Sequence, residues 1–171
     1  MEKKEIIHML QNKRHDLMNQ LQIVQGYLSM GKVDVVADKM TDIIAEYEQE
    51  RLLMNTKATH FILWTLQFNT KHDHIRLSYK IHTNNSDLMV LDTKLVHAGN
   101  IVTNMIHEQG EDSELYHVIM ELAVHQNTVH IIFTIHGYFK NWCRSKHMLE
   151  AFEEVEQLKD GLRCMMRISL V

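Results

Sequence analysis

The feature that most constrains the fold of this chain is an apolar repeat in its first segment. Between residues 2 and 30, apolar side chains recur at alternating spacings of three and four, the period of one face of an α-helix. The positions in this seam are Ile6, Leu10, Leu17, Leu21, Val24 and Leu28, with Arg14 taking one place in the series. The chain contains no proline, the residue that most readily interrupts a helix. We therefore predict one long helix over residues 2–30.

A second repeat of the same period follows Gly31, which we expect to end the first helix with a positive φ. It comprises Val33, Val36, Met40, Ile43, Tyr47 and Met54, and it ends near Asn55. Because the connection is so short, the two helices should be antiparallel neighbours. Further apolar residues widen both stripes: Met9, Met18, Ile23, Val35, Ile44 and Leu53. A single hairpin leaves much of this apolar surface exposed to solvent. We therefore expect a homodimer in which two hairpins form a four-helix bundle; the alternative is that the rest of the chain covers the same surface.

After Thr56 the pattern predicts a layered α+β domain. We expect a short helix over 61–69, a strand over 75–82, a helix capped by Asp92 that runs to about Gln109, and a hairpin of "YHVIMELAVH" and "TVHIIFTIH". A helix over 146–159, ended by Gly161, and a closing strand "LRCMMRISL" complete the order β-α-β-β-α-β. Such an order places helices on one side of a mostly antiparallel sheet. The predicted domains are a helical hairpin, 1–56, and an α+β domain, 57–171.

Composition excludes several classes of protein. A net charge of −4 over 171 residues provides no basic surface for nucleic acid. The opening "MEKKEIIHML" has too short an apolar run for a signal peptide or a membrane span, and the two cysteines fit no disulfide framework, so we expect a reducing cytoplasm. Among thirteen histidines the densest pair, His72 and His74, has an i,i+2 spacing that favours a solvated turn over a metal site.

The decapeptide "KRHDLMNQLQ", residues 13–22, is unusually polar for a helix of this kind. His15, Asn19, Gln22 and Gly26 recur at spacings of four, three and four, about 100° around the helix from the apolar seam. This places His15 at the flank of the predicted bundle, where another protein can reach it. A neutral imidazole is a competent nucleophile near pH 7, and its phosphoramidate is a good phosphoryl donor. The alternative is an ordinary solvated helix face.

The neighbours of His15 suit phosphoryl transfer, which depends mostly on positioning and charge neutralisation. Asp16 can accept or orient the imidazole N–H, and Asn19 can hydrogen-bond the phosphoryl group or the partner. Arg14 can offset phosphate charge, although a residue in its place is as well explained by its aliphatic stem lying along the seam.

The stretch "RHDLMNQLQIVQGYLSM" resembles the phosphoacceptor box R-H-D-x-x-N-x-L-Q-x-x-x-G-x-L of the sporulation initiation phosphotransferase B family, and related citrate/fumarate-type sensor histidine kinases have a similar box. The matching residues are Arg14, His15, Asp16, Asn19, Leu21, Gln22, Gly26 and Leu28. The resemblance implies a cytoplasmic, dimeric phosphotransferase whose second domain is a degenerate histidine-kinase ATPase-like domain. It also implies that His15 takes phosphate from an aspartyl-phosphate of a single-domain response regulator and passes it to a response-regulator transcription factor.

Residue roles follow from the same resemblance. His15 is the expected phosphoacceptor, with Asp16, Asn19 and Arg14 as further catalytic residues. The expected partner-binding residues are Gln11, Met18, Gln22 and Gly26. No intrinsic cofactor is expected, and Mg²⁺ is expected from the partner receiver domain.

The use of ATP by the second domain would distinguish a sensor kinase core from the other candidate functions. "GNIVTNMIHE" resembles the N-box of histidine kinase ATPase domains through Asn100 and Asn104, but His107 stands where that box usually has glutamate. The nucleotide-binding D-x-G-x-G is replaced by "HGYFKNW", and a later glycine-rich loop is missing, so backbone N–H groups cannot readily cradle a triphosphate. A phosphotransferase is therefore favoured over an ATP-dependent sensor kinase core, and a non-catalytic response-regulator-binding adaptor remains the third alternative.

Overall fold

A computed structural model of the chain describes residues 3–83, 86–111, 113–139, 142–143 and 146–170. The chain divides into two compact units, the first ending at Glu50 and the second beginning at Arg51. Within the described ranges, none of the helices combines the length and the apolar character that crossing a membrane requires.

The first unit is built from two helices, α1 (Lys3–Ser29) and α2 (Val33–Asn55), and α2 continues past the division between the units. Both helices lie where the apolar repeats predicted them. Gly31 has a φ of 72°, as expected for the residue that ends α1. Lys32 N–H donates to the carbonyl of Tyr27 and Gly31 N–H to that of Leu28, both at 3.0 Å, which is the Schellman arrangement. The helical hairpin predicted from the sequence is therefore confirmed.

The hairpin covers only part of its own apolar seam. Leu17 and Val24 of α1 are half-buried, as are Val36 and Ile43 of α2. By contrast, other seam residues stay open to solvent, with Leu10 60%, Leu21 41% and Leu28 57% exposed. Dimerisation into a four-helix bundle, which would cover them, remains a prediction.

Beyond the end of α2, the described part of the second unit contains three α-helices and five strands. They are α3 (Thr59–Lys71), β1 (Ile75–His82), α4 (Asp92–Gln109), β2 (Tyr116–His125), β3 (Thr128–His136), α5 (Lys146–Ala151), β4 (Glu154–Leu158) and β5 (Gly161–Ser169). The sheet order is β1-β2-β3-β5-β4; β1 pairs with β2 in parallel, and the other three pairs are antiparallel. The predicted fold class, a helical hairpin followed by an α+β domain with a mostly antiparallel sheet, is confirmed.

The core of this unit lies between one sheet face and the helices. Alternate residues of the strands are buried on that face, as period-2 patterning requires. Fully buried members include Ile75, Met120, Leu122, Ile131, Phe133 and Cys164 from the sheet, with Phe61 and Leu95 from α3 and α4. Burial raises the pKa of the Cys164 thiol to about 12, so this cysteine is a core residue and not a nucleophile.

The predicted helix over 146–159 is wrong in its second half. The helix ends at Ala151, and Glu154–Leu158 instead forms β4, an edge strand paired with β5. Val155 lies opposite Cys164 and is buried, whereas Glu154 is exposed, so the segment alternates with period 2. The prediction failed because the segment 146–159 contains four glutamates and other helix-favouring residues, so its helix propensity outweighed this short alternation. Gly161 ends no helix; it opens β5 with a φ of 157°, where a Cβ would lie 1.8 Å from a backbone oxygen.

The prediction that Asp92 caps α4 is also wrong, although the bounds of that helix are right. Leu91 occupies the N-cap position of α4, and Asp92 is the first helical residue. The Asp92 carboxylate instead accepts hydrogen bonds from the backbone N–H of His60 (3.0 Å) and of Phe61 (2.8 Å), at the start of α3. Burial acts to raise the pKa of Asp92, but these bonds and the His60 side chain outweigh it and hold the pKa below its usual value.

The turn "HDH" is less solvated than predicted. His74 is exposed, but the ring of His72 is half-buried, with its centroid 4.4 Å from that of Phe68 and 5.6 Å from that of His107. Burial lowers the pKa of His72, and the neighbouring His107 lowers it further. The i,i+2 spacing therefore separates His72 from His74, but it does not leave the His72 ring exposed to solvent.

Asn69, near the end of α3, is bound to the first strand of the sheet. Its side-chain oxygen accepts from Leu77 N–H at 2.7 Å, and its side-chain nitrogen donates to the Leu77 carbonyl at 2.9 Å. In the described sheet β1 pairs with β2 only, so the Asn69 amide binds the backbone groups of Leu77 that point away from β2.

Candidate functional site

The decapeptide lies in the interior of α1, where the helix fixes the spacing of its side chains. Four exposed residues lie along one stripe of α1 at spacings of four, three and four: Gln11, His15, Met18 and Gln22. We call these four residues the His15 face. The His15 side chain is 72% exposed, so its imidazole is open to another molecule.

The imidazole of His15 has two polar neighbours on its own helix. Its Nδ1 lies 3.4 Å from Asp16 Oδ1, and Asn19 Nδ2 lies 3.2 Å from Nδ1 and 3.5 Å from Nε2. Nδ1 cannot donate to Asp16 and accept from Asn19 at the same time, because a neutral imidazole carries only one ring proton. With the proton on Nδ1, Asp16 accepts it and the lone pair is on Nε2. With the proton on Nε2, Asn19 Nδ2 instead donates to Nδ1, so the carboxylate contact and the amide contact at Nδ1 belong to opposite tautomers.

The remaining predicted site residues lie close by on α1. Arg14 is exposed beside the His15 face, and Gly26 is half-buried one further step along it. A Cβ built on Gly26 meets no atom within 4 Å among the described residues, so none of them requires a glycine there. All eight predicted residues therefore lie on α1, but the structure shows contacts with His15 only for Asp16 and Asn19 among the described interactions.

Two contacts between α1 and α2 were not predicted from the sequence. Lys13 Nζ donates to Glu50 Oε2 at 2.6 Å, and Gln20 Nε2 donates to Glu46 Oε2 at 2.8 Å. Pairing the two helices about the Gly31 turn and looking for complementary groups at facing positions would have found both. They hold the two helices together on either side of the level of His15.

The α2 surface that faces the decapeptide is acidic. Burial raises the pKa of Tyr47, and the nearby Glu50 raises it further, against the opposing effect of Lys13. The Tyr47 hydroxyl therefore keeps its proton at neutral pH and remains a hydrogen-bond donor.

The two N-box asparagines of α4 differ in their surroundings. Asn100 Oδ1 accepts a hydrogen bond from Trp64 Nε1 of α3 at 2.9 Å, so this side chain joins two helices. Asn104 is exposed and lines a cavity of about 460 Å³ between α4 and α5, together with Lys94, His97 and Glu150. In the part of the chain that the structure describes, no group of three or more His, Cys, Asp or Glu side chains is arranged to hold a metal ion.

The helical region of the chain is similar to a known protein family. Residues 1–56 match the family described as Sensor_kinase_SpoOB-type, alpha-helical domain. The chain is also 36% identical over 91 residues to sporulation initiation phosphotransferase B of Bacillus subtilis (strain 168). The family resemblance read from the decapeptide is confirmed. That alignment covers 53% of this chain and 47% of the relative, about half the length of each.

Two histidine kinases are among the solved structures to which this chain is similar. One is the blue-light activated histidine kinase EL346 of Erythrobacter litoralis, 12% identical, with 91% of this chain and 59% of that chain covered and a TM-score of 0.49. Another is histidine kinase ThkA in complex with the response regulator protein TrrA, 14% identical, with 96% and 61% covered and a TM-score of 0.42.

Proposed function

We propose that this chain is a histidine phosphotransferase of a sporulation-type phosphorelay. The observation that carries the proposal is an exposed His15 flanked by Asp16 and Asn19, within a segment that matches the SpoOB-type helical domain. The similarity to a protein named a phosphotransferase supports the same reaction class. In this proposal the phosphate comes from an aspartyl-phosphate of a single-domain response regulator and goes to a response-regulator transcription factor.

The proposed step is an in-line attack of His15 Nε2 on the phosphorus of the aspartyl-phosphate. An N–P bond forms as the P–O bond to the receiver aspartate breaks, and that aspartate leaves as a carboxylate. The proton stays on Nδ1, where the Asp16 carboxylate stabilises the charge that the ring gains. The reverse attack by an aspartate of the second receiver breaks the N–P bond and restores the neutral imidazole.

Other residues of the helix would assist from the surface. Arg14 would offset charge on the phosphoryl group, and Asn19 would hydrogen-bond it. Gln11, Met18, Gln22 and Gly26 would contact the receiver. Mg²⁺ would be supplied by the acidic pocket of the receiver, and a second copy of the chain would complete a four-helix bundle.

The experiment that tests the proposal is phosphate passage between two receivers. We expect His15→Gln to abolish passage, because the amide cannot act as the nucleophile, while the circular dichroism spectrum and the molecular mass in solution stay those of the unsubstituted protein. His8→Gln, on the same helix, is the matched control and should transfer normally. Retained passage in His15→Gln would refute the proposal, whereas receiver binding that is indifferent to the substitution, with no trapped phosphohistidine, would identify an adaptor.

A second candidate, an ATP-dependent kinase core, is favoured by one observation. The cavity between α4 and α5 contains the exposed N-box residue Asn104. Incubation with γ-labelled ATP and Mg²⁺, in the absence of any receiver, separates the two functions. Label on His15 would establish the kinase; an unlabelled chain that still accepts phosphate from a receiver would establish the phosphotransferase.

A further inference from the structure

The second unit contains a cavity that the proposed phosphotransfer does not use. It has a volume of about 460 Å³ and lies where β2 begins, β3 ends and β4 turns into β5. We call it the end-of-sheet cleft. Its lining includes Leu115, His117, His136, Tyr138, Trp142 and Asp160. The volume falls within the range of small-molecule sites, about 300–1,000 Å³.

The strand register explains why this end of the sheet is open. His136 of β3 lies opposite His117 on one side and opposite Gly161 on the other. Because Gly161 has no side chain, β5 contributes only backbone to this row. Gly137 brings the chain so close to Tyr116 that a Cβ would lie 2.3 Å from the ring. The row beside the two histidines therefore lacks a side chain from β5, and Gly137 lets the chain after β3 pack directly on Tyr116.

The polar side of the cleft is a paired histidine and aspartate. His136 Nδ1 lies 3.0 Å from Asp160 Oδ2, and this hydrogen bond lowers the pKa of the Asp160 carboxyl. When Nδ1 donates to the carboxylate, Nε2 carries the lone pair and is a hydrogen-bond acceptor. The described lining residues include two carboxylates, Glu114 and Asp160, and one ammonium group, Lys159, so carboxylates outnumber ammonium groups among them.

The apolar side of the cleft is aromatic. Tyr138 is 62% exposed and Leu115 46% exposed, while Phe139 packs on Tyr116 with ring centroids 4.9 Å apart. Trp142 completes this wall. Aromatic faces attract cations electrostatically, and an excess of carboxylates acts in the same direction.

We propose that the end-of-sheet cleft binds a small organic cation, an ammonium group carried on an aromatic ring or a short alkyl chain. The ammonium N–H donates to His136 Nε2, with Asp160 as the counter-charge, and the apolar part lies against Tyr138 and Trp142. An anion of the same size is disfavoured by the two carboxylates. This site is independent of the His15 reaction.

The two tryptophans of the chain make the test internally controlled. Trp142 lines the cleft, and its Nε1 is buried with no partner among the described residues, whereas Trp64 Nε1 is bonded to Asn100. In a ¹H–¹⁵N spectrum each indole N–H gives one signal, and Trp64→Phe assigns them. We expect titration with 2-phenylethylammonium to move the Trp142 signal saturably and to leave the Trp64 signal in place. The anion 3-phenylpropionate, of nearly the same size, should move neither.

A pair of charge variants completes the test. Asp160→Asn should weaken the binding of 2-phenylethylammonium at least about threefold, because it removes the counter-charge and the group that fixes His136. Asp73→Asn removes the same charge at an exposed position outside the cleft and should leave the affinity unchanged. Equal effects of the two variants, equal movement of both indole signals, absence of any movement, or equal binding of 3-phenylpropionate would each overturn the proposal.

Discussion

The two units of this chain differ in how many of their hydrophobic side chains are buried. In the second unit, beginning at Arg51, strands and helices enclose an apolar core, and every buried hydrophobic residue of the described chain belongs to it. The first unit, up to Glu50, has no buried hydrophobic residue among those described and leaves much of its seam in water. A unit with its own core can fold alone, whereas a hairpin of this kind needs a further surface to pack against.

The largest effect expected from this comparison is in the core of the second unit. Phe133→Ala should lower the free energy of unfolding by about 3–5 kcal/mol, since it leaves a cavity at a fully buried position. Leu10→Ala, at a seam position 60% exposed, should leave the urea midpoint of the dilute monomer almost unchanged. Equal losses in the two variants would show that the hairpin has a core of its own.

Association of the hairpin gives the next largest effect. Leu10→Asp should weaken the predicted dimer roughly a hundredfold, because a charge would replace a leucine in the predicted interface of both copies. Sedimentation equilibrium over a range of concentrations measures the dissociation constant. Leu115→Asp, at an exposed leucine of the second unit, is the control and should leave it unchanged. A native chain that stays monomeric at high concentration would contradict the predicted bundle.

A smaller effect is expected where Asp92 caps α3. Asp92→Ala should destabilise the second unit by about 1–2 kcal/mol, since two backbone N–H groups lose their acceptor. Because the pKa of Asp92 is depressed in the fold, its contribution is present above the unfolded value of about 3.9 and is lost as the pH falls through the lower folded pKa. Thermal melting at neutral pH and at successively lower pH should therefore show the variant and the native protein converging in acid. Asp73→Ala should show no such convergence.

The smallest expected effect is that of replacing Gly26 in α1. Gly26→Ala should stabilise α1 by about 0.5–1 kcal/mol, because a Cβ there meets nothing in the single chain and a helical glycine is costly. Circular dichroism melting of the dilute protein measures this gain. If receiver phosphotransfer falls at the same time, another backbone approaches the helix at Gly26; unchanged transfer would remove Gly26 from the partner-binding residues.

Long periodic elements could be predicted from this sequence, and local exceptions could not. The repeats that end at Gly31 and Asn55 fixed α1 and α2, since many residues contribute to one period. Strand β4 was missed because its five residues carry a weak alternation, and its partner β5 decides its conformation. The role of Asp92 was misassigned for a similar reason, since its carboxylate caps a helix that begins more than thirty residues earlier. Exposure of His15 followed from helical geometry, but its contacts with Asp16 and Asn19 needed coordinates.

The Asn69 clamp on β1 has a consequence for assembly. An unpaired strand edge is a template on which another chain can add a strand, and folded proteins block such edges to avoid uncontrolled aggregation. By engaging both backbone groups of Leu77, the Asn69 amide takes the place that a residue of an added strand would fill. The Asn69 amide therefore disfavours the addition of a strand at the middle of β1, whereas the exposed apolar seam of the first unit stays available for packing.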